Sequence, residues 1–174
     1  MEVVTHSTVI FLDVDGVLHP LGPNHLPLHS TLSDLTSRAD EELASPDTDP
    51  ARVCDGEFTP ECMSNLKKIV ADTGASIVLS STWRETHPSR LAVLQQLAEY
   101  DIPPFVGCTP IHGSGSYARA SEITAYAREN NISKYIALDD QDMDLPPANF
   151  VRTDMGSGLT ASDAKQAIKK LLNS

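Results

Sequence analysis

Long apolar runs are missing from this chain of 174 residues: none approaches the ~20 consecutive apolar residues that a membrane-spanning helix needs. Cysteine is scarce. Cys54, Cys62 and Cys108 are odd in number and show no C-x-x-C spacing, which argues against a disulfide framework or a cysteine zinc site and fits reduced thiols. The first residues show no basic region leading into an apolar stretch and a small-residue cleavage site, so no secretory signal is expected, and the expected location is cytoplasmic. Basic residues are few: 13 Lys and Arg face 24 Asp and Glu, a formal charge of −11. Such a field opposes a protein that coats nucleic acid through its overall charge, while leaving room for a local basic cleft. What remains, 40% hydrophobic and 21% charged, is the composition of one globular domain over 1–174 with a sizeable core.

Much of the negative charge is concentrated. Residues 20–57 contain eight acids (Asp34, Asp40, Glu41, Glu42, Asp47, Asp49, Asp55, Glu57) against Arg38 and Arg52, together with five prolines. This stretch reads as a Pro-rich acidic insert with at most one short helix, on which Leu32, Leu35, Ala39 and Leu43 fall at helical spacing.

The rest alternates between strand and helix patterns. Val9–Leu12 is a short apolar run closed by a turn signal, hence a buried strand. Thr59 and Pro60 open a helix with Met63, Leu66, Ile69 and Val70 on one stripe, and Gly74 ends it. Ala75–Leu79 is a second strand, and Leu91, Leu94, Leu97 and Ala98 are expected to line a second helix. Phe105–Gly107 is a third strand, a helix from about Ala118 to Asn130 follows, and Tyr135–Leu138 is a fourth strand. Asn149–Arg152 is a fifth, and Thr160 to Asp163 has the spacing of a capping box before a last helix with Ala164, Ile168, Leu171 and Leu172 facing inward. Alternation of this kind predicts an α/β fold, a doubly wound parallel five-stranded sheet with helices on both faces.

Ligands of such sheets bind beyond the carboxyl ends of the strands. The first strand ends in Asp13-Val14-Asp15-Gly16, the second in Ser80-Ser81-Thr82-Trp83-Arg84 and the fourth in Asp139-Asp140. One acidic turn at a strand end is ordinary, because strands exit into water. Two acidic pairs at two strand ends point to chemistry. Gathered carboxylates repel, raising the pKa of some unless a cation compensates. Oxygen ligands without Cys or His call for a hard ion, most simply Mg²⁺, and such a site with a spare carboxylate, hydroxyls and an arginine suits phosphoryl transfer.

These residues resemble the motifs of the haloacid-dehalogenase-like (HAD) phosphatases, in order: Asp13-x-Asp15-Gly16, Ser80 after the second strand, a basic residue opening a helix, and Asp139-Asp140 after a later strand. The resemblance covers nearly the whole chain outside 20–57 and implies a Mg²⁺-dependent phosphomonoesterase working through an aspartyl-phosphate. It implies Asp13 as nucleophile and Asp15 as general acid and base, with the Asp15 backbone carbonyl also on the metal. Ser80 would hold a phosphoryl oxygen, with Gly16, Ser81 and Arg84 as further substrate contacts. Asp139 and Asp140 would hold the metal directly or through water. Arg119 is expected as the basic catalytic residue; Lys134 competes, but lies at the amino end of the fourth strand. The segments Leu79 to Arg84, Asp139 to Asp142 and Gly156-x-Gly158-Leu159-Thr160 are also similar to a HAD subgroup associated with nucleic-acid end-repair modules.

Other features carry less. Gly113 to Ala118 fits G-x-G-x-x-A but does not follow the first strand, so it reads as a loop. Asp140, Asp142 and Asp144 are spaced as in a calcium loop whose required glycine is Leu145. Trp83 reads as a core or lid anchor, and His19, four residues after Asp15, is in reach of a substrate. The insert is shorter than an independent domain of ~50 residues or more, so a minimal cap and an open site are expected, with the phosphate carried by a larger substrate, a nucleic-acid end or a phosphoprotein. Nucleic acid would need a basic strip near Arg84 and Arg119. The rivals are a HAD phosphatase of small metabolites, a receiver-like module and a catalytically silent phosphate-binding module. In a receiver, the single phosphorylated Asp would end the third strand, where this chain has Gly107-Cys108-Thr109-Pro110.

Overall fold

A computed structural model of the chain describes residues 8–21, 58–113 and 116–173. The helix expected between Leu32 and Leu43, and nearly all of the acidic insert, lie outside the described residues. Among the described residues no helix is long and apolar enough to cross a membrane.

Five parallel strands form one sheet in the order β3-β2-β1-β4-β5: β1 (Thr8–Leu12), β2 (Ser76–Leu79), β3 (Gly107–Cys108), β4 (Lys134–Asp139) and β5 (Phe150–Arg152). The strand order reverses at β1, which pairs with β2 through Phe11↔Val78 and with β4 through Phe11↔Ala137. The doubly wound sheet expected from the alternation is therefore present. A receiver-like module is excluded by order, since that fold runs 2-1-3-4-5.

Among the described residues four helices cover the faces: α1 (Pro60–Thr73), α2 (His87–Glu99), α3 (Ser116–Glu129) and α4 (Ala161–Asn173). Alternate side chains of β1 point to opposite faces. Ile10 and Leu12 join a core with Leu66 and Ile69 of α1, Val93 and Leu97 of α2, and Ala167 and Leu171 of α4. Val9 and Phe11 join a second core with Ala120, Ile123 and Ala127 of α3. There Phe11 meets Tyr126 and Tyr135 edge to face, at centroid distances of 5.9 and 5.4 Å.

The start and stop signals of α1 behave as anticipated: Pro60 is in its first turn and Gly74 caps it at φ 65°, donating to Val70 O. Three expectations are corrected. The stripe on α2 is phased differently, with Val93 and Leu97 buried and Leu91 exposed, because this helix carries apolar residues on several sides. On α4, Ala167 takes an inward place while Leu172 is exposed. Strand β3 begins at Gly107 instead of Phe105; Pro103 and Pro104 just upstream have no N–H for a ladder, and Val106 is left exposed.

Candidate active site

The carboxyl edge of the sheet gathers the residues singled out above. Asp13 continues the line of β1, its amide donating to Leu138 O at 3.0 Å. The chain then curls sharply: Val14 O accepts from the amides of Val17, Leu18 and His19, and Gly16 N donates to His19 O. Gly16 sits at φ 71°, and a Cβ there would lie 2.6 Å from Asp140 Cγ. Glycine is required twice over, for the left-handed backbone and for the approach of Asp140. The loop after β5 braces the curl, with Thr153 Oγ1 donating to Gly16 O at 2.8 Å and Leu159 N to Val17 O.

Asp13, Asp139 and Asp140 form the acidic centre, each offering a carboxylate oxygen within 4.8 Å of the others. Arg119, from the first turns of α3, places Nη1 3.0 Å from Asp13 Oδ2 and 2.6 Å from Asp139 Oδ2. Lys134 instead begins β4 at the opposite edge of the sheet. Burial by itself would push the Arg119 guanidinium down, but Asp13 and Asp139 together hold it up. Burial raises the Asp13 carboxyl, a rise that Arg119 and a hydrogen bond from Ser81 oppose. Burial and then the Asp13 charge push Asp139 from 3.8 to about 7, and the same two causes raise Asp140.

Three carboxylates against one guanidinium leave two negative charges uncompensated, the charge of one divalent ion. The donors are all oxygens, so a hard cation such as Mg²⁺ fits them. The Asp15 carboxylate is not in this group.

A carboxyl raised in the fold binds its proton more tightly there than in the unfolded chain. The resulting stability is present at low pH and is lost as pH rises through the window from about 4 to about 7. Melting of the metal-free protein is therefore expected several degrees lower at pH 8 than at pH 5.5, with millimolar Mg²⁺ restoring much of the difference at pH 8. Metal-free melting that climbs across this interval would contradict the charge crowding.

Asp15 has different company. Its Oδ2 accepts from Trp83 Nε1 at 3.0 Å, and its Oδ1 lies 3.3 Å from His19 Nδ1. Trp83 rides on a 3₁₀ turn, Thr82–Arg84, capped by Ser81, and packs edge to face on Phe58 at 5.5 Å. It is an anchor as anticipated, with a polar contact that sequence reading missed.

Ser80 and Ser81 are both buried. Ser81 is the one whose side chain reaches Asp13. Arg84 is committed to the scaffold: Nε donates to Thr109 O, Nη1 to Ser80 O and Ser81 O, and Nη2 to Pro110 O and, at 2.7 Å, to Glu122 Oε2. All its N–H donors meet protein acceptors, which leaves none for a phosphate. Nor do Arg84 and Arg119 form the basic surface strip expected for nucleic acid, since both are buried and ion-paired. Glu122 was not anticipated; the signal available was an acid set between inward-facing Ala120 and Ile123.

A comparison with curated proteins finds no match. The model of the family described as the HAD domain in Swiss Army Knife RNA repair proteins matches residues 9–164, from β1 into the first turn of α4. With the acidic centre at the carboxyl edge of a sheet wound in this order, the chain belongs to that family of HAD domains.

Proposed function

We propose that this HAD domain is a Mg²⁺-dependent phosphomonoesterase that removes a phosphate from the end of an RNA strand. The reading rests on the contrast between the two aspartates of the first turn. Asp13 lies in the acidic centre against Arg119, where an incoming phosphoryl group would find both a nucleophile and a cation. Asp15 is held apart from that centre by an indole and an imidazole, as a proton donor and acceptor should be. RNA is favoured over other phosphate carriers because the matching family is that of RNA repair proteins. Two free thiols among the described residues, Cys62 and Cys108, suit a cytoplasmic setting.

In the proposed reaction an Asp13 oxygen forms a bond to phosphorus while the bond to the leaving sugar oxygen breaks, and Asp15 gives that oxygen its proton. Water then attacks the aspartyl-phosphate, Asp15 takes a proton from it, and phosphate departs as the Asp13 carboxylate is regenerated. Arg119 and the Ser80–Ser81 segment orient the phosphoryl oxygens. Mg²⁺ held by Asp13, Asp139, Asp140 and the Asp15 carbonyl would supply positive charge against those oxygens. Among the described residues basic contact with the RNA falls to the rim, where Arg152, exposed at the end of β5, donates from Nε to Asp140 O. With few such contacts, RNA affinity should depend only weakly on salt.

The test is kcat/KM for 5′- and 3′-phosphorylated oligoribonucleotides against nucleoside monophosphates, sugar phosphates and a phosphopeptide, with Mg²⁺ and with excess EDTA. The expected result is a gain of at least about tenfold for an RNA end over its mononucleotide, an increment of about 1.4 kcal/mol, and loss of turnover in EDTA. A small metabolite favoured a hundredfold would support a metabolite phosphatase instead, no turnover of any substrate a silent module, and full activity in EDTA would sink the metal requirement.

A further inference from the structure

We infer that Trp83 is a positioning residue for the acid and base step: with His19 it grips the Asp15 carboxylate at two points and decides which oxygen handles the proton. The inference rests on the proposed role of Asp15. An indole N–H can only donate. At 3.0 Å from Trp83 Nε1, Asp15 Oδ2 accepts this hydrogen bond, which favours Oδ1 as the oxygen that carries the transferable proton. His19 Nδ1 stands 3.3 Å from Oδ1, steadying the same carboxylate from its other side. A quarter-turn of the carboxylate about its Cβ–Cγ bond would break both contacts at once.

The grip is itself built rigidly. Trp83 is 7% exposed, its ring stands across Phe58 at an interplanar angle of 80°, and its amide donates to Ser81 Oγ. The next residue, Arg84, pins the turn to the loops after β2 and β3. A rigid donor on the far side of a carboxylate lowers the cost of presenting the remaining oxygen in line with a leaving group, which is where positioning acts on rate.

This makes a prediction separable from plain structural damage. Trp83→Phe keeps an aromatic ring beside Phe58 and removes the donor together with part of the indole, a loss of packing that should slow both substrates alike. In single turnover the first step should slow about tenfold or more for an RNA-end or alkyl phosphate, whose alkoxide needs the proton, with KM held within about twofold. For nitrophenyl phosphate, whose leaving group needs little help, the loss should be under about threefold. Equal losses on both substrates, no loss on either, or a change confined to KM overturns the positioning role. Asp15→Asn, run beside it, should show the same leaving-group split more strongly. If Asp15→Asn turns over the alkyl phosphate at the wild-type rate, the role of Asp15 fails and the grip with it. A split present in Asp15→Asn and missing in Trp83→Phe overturns the grip alone.

Discussion

Exchange of Asp13 for asparagine is expected to cut turnover of any phosphomonoester by a factor of about a thousand or more, a rise in barrier of about 4 kcal/mol. Asparagine has the same shape, so the hydrogen bond from the backbone amide of residue 13 to Leu138 O and the curl over Val14 should persist. What is lost is the anionic oxygen that bonds to phosphorus in the proposed reaction, and with it the proposed covalent route. The fold should not suffer. Asp13 is buried beside Asp139, and its charge raises the pKa of that neighbour, so neutralising it relieves repulsion that Arg119 only partly offsets. Steady-state kinetics and thermal melting on one preparation check both halves, with melting of the metal-free variant expected at or above that of the unaltered protein. Turnover within tenfold of the starting protein would remove Asp13 from the nucleophile's role.

Arg84→Met is expected to cost stability heavily while sparing substrate affinity. The guanidinium and Glu122 form an ion pair in which the side chains are only 5% and 2% exposed, and removing one member leaves the other buried without a counter-ion. Four backbone carbonyls, those of Ser80, Ser81, Thr109 and Pro110, lose their donor at the same time. Breaking a buried pair from one side typically costs about 3–5 kcal/mol, which corresponds to a fall in Tm of about 10 °C at this chain length. Below the transition, KM for a phosphate substrate should change little. A variant that melts within about 2 °C of the original and binds its substrate markedly worse would instead make Arg84 a phosphate contact.

The contrast between Arg84 and Asp13 marks how far the sequence could be read. That Asp13, Asp15, Asp139 and Asp140 gather at one edge of the sheet was legible because a local pattern carried them: an apolar strand, then acids where the strand must end. Arg119 was legible through placement at the start of a helix on the ligand side of the sheet. Helix α1 was legible because Thr59, Pro60 and Gly74 punctuate it and its apolar residues share one face. The phase of α2 was not, since Leu91, Val93, Leu94 and Leu97 suit more than one stripe and only packing chooses. Contacts across long sequence separations were equally hidden. His19, four residues beyond Asp15, was expected to reach a substrate, not this carboxylate; Trp83 meets the same carboxylate from the end of another strand and gave no sign of it. Arg84 looked like a ligand for phosphate because nothing in the string of residues reveals that five acceptors converge on it.

Strand β1 lies at the centre of the sheet, with Val9 paired to Ser76 on one side and Tyr135 on the other. Both partners follow it in the chain, one of them beyond the acidic insert and the other near the end of the matched family segment. During synthesis the segment Thr8–Leu12, with Val9 to Leu12 wholly apolar, therefore emerges without either neighbour. Pairings that span most of a chain form slowly, because loop closure is charged before the contacts repay it. Until β4 docks, a sticky strand waits with an open edge, the situation in which nascent chains aggregate or recruit chaperones. Asp13 and Asp139 meet at Arg119 only when that docking is complete, so the proposed metal site becomes a late reporter of folding: cation affinity should appear in the same kinetic phase as the final closure of the sheet.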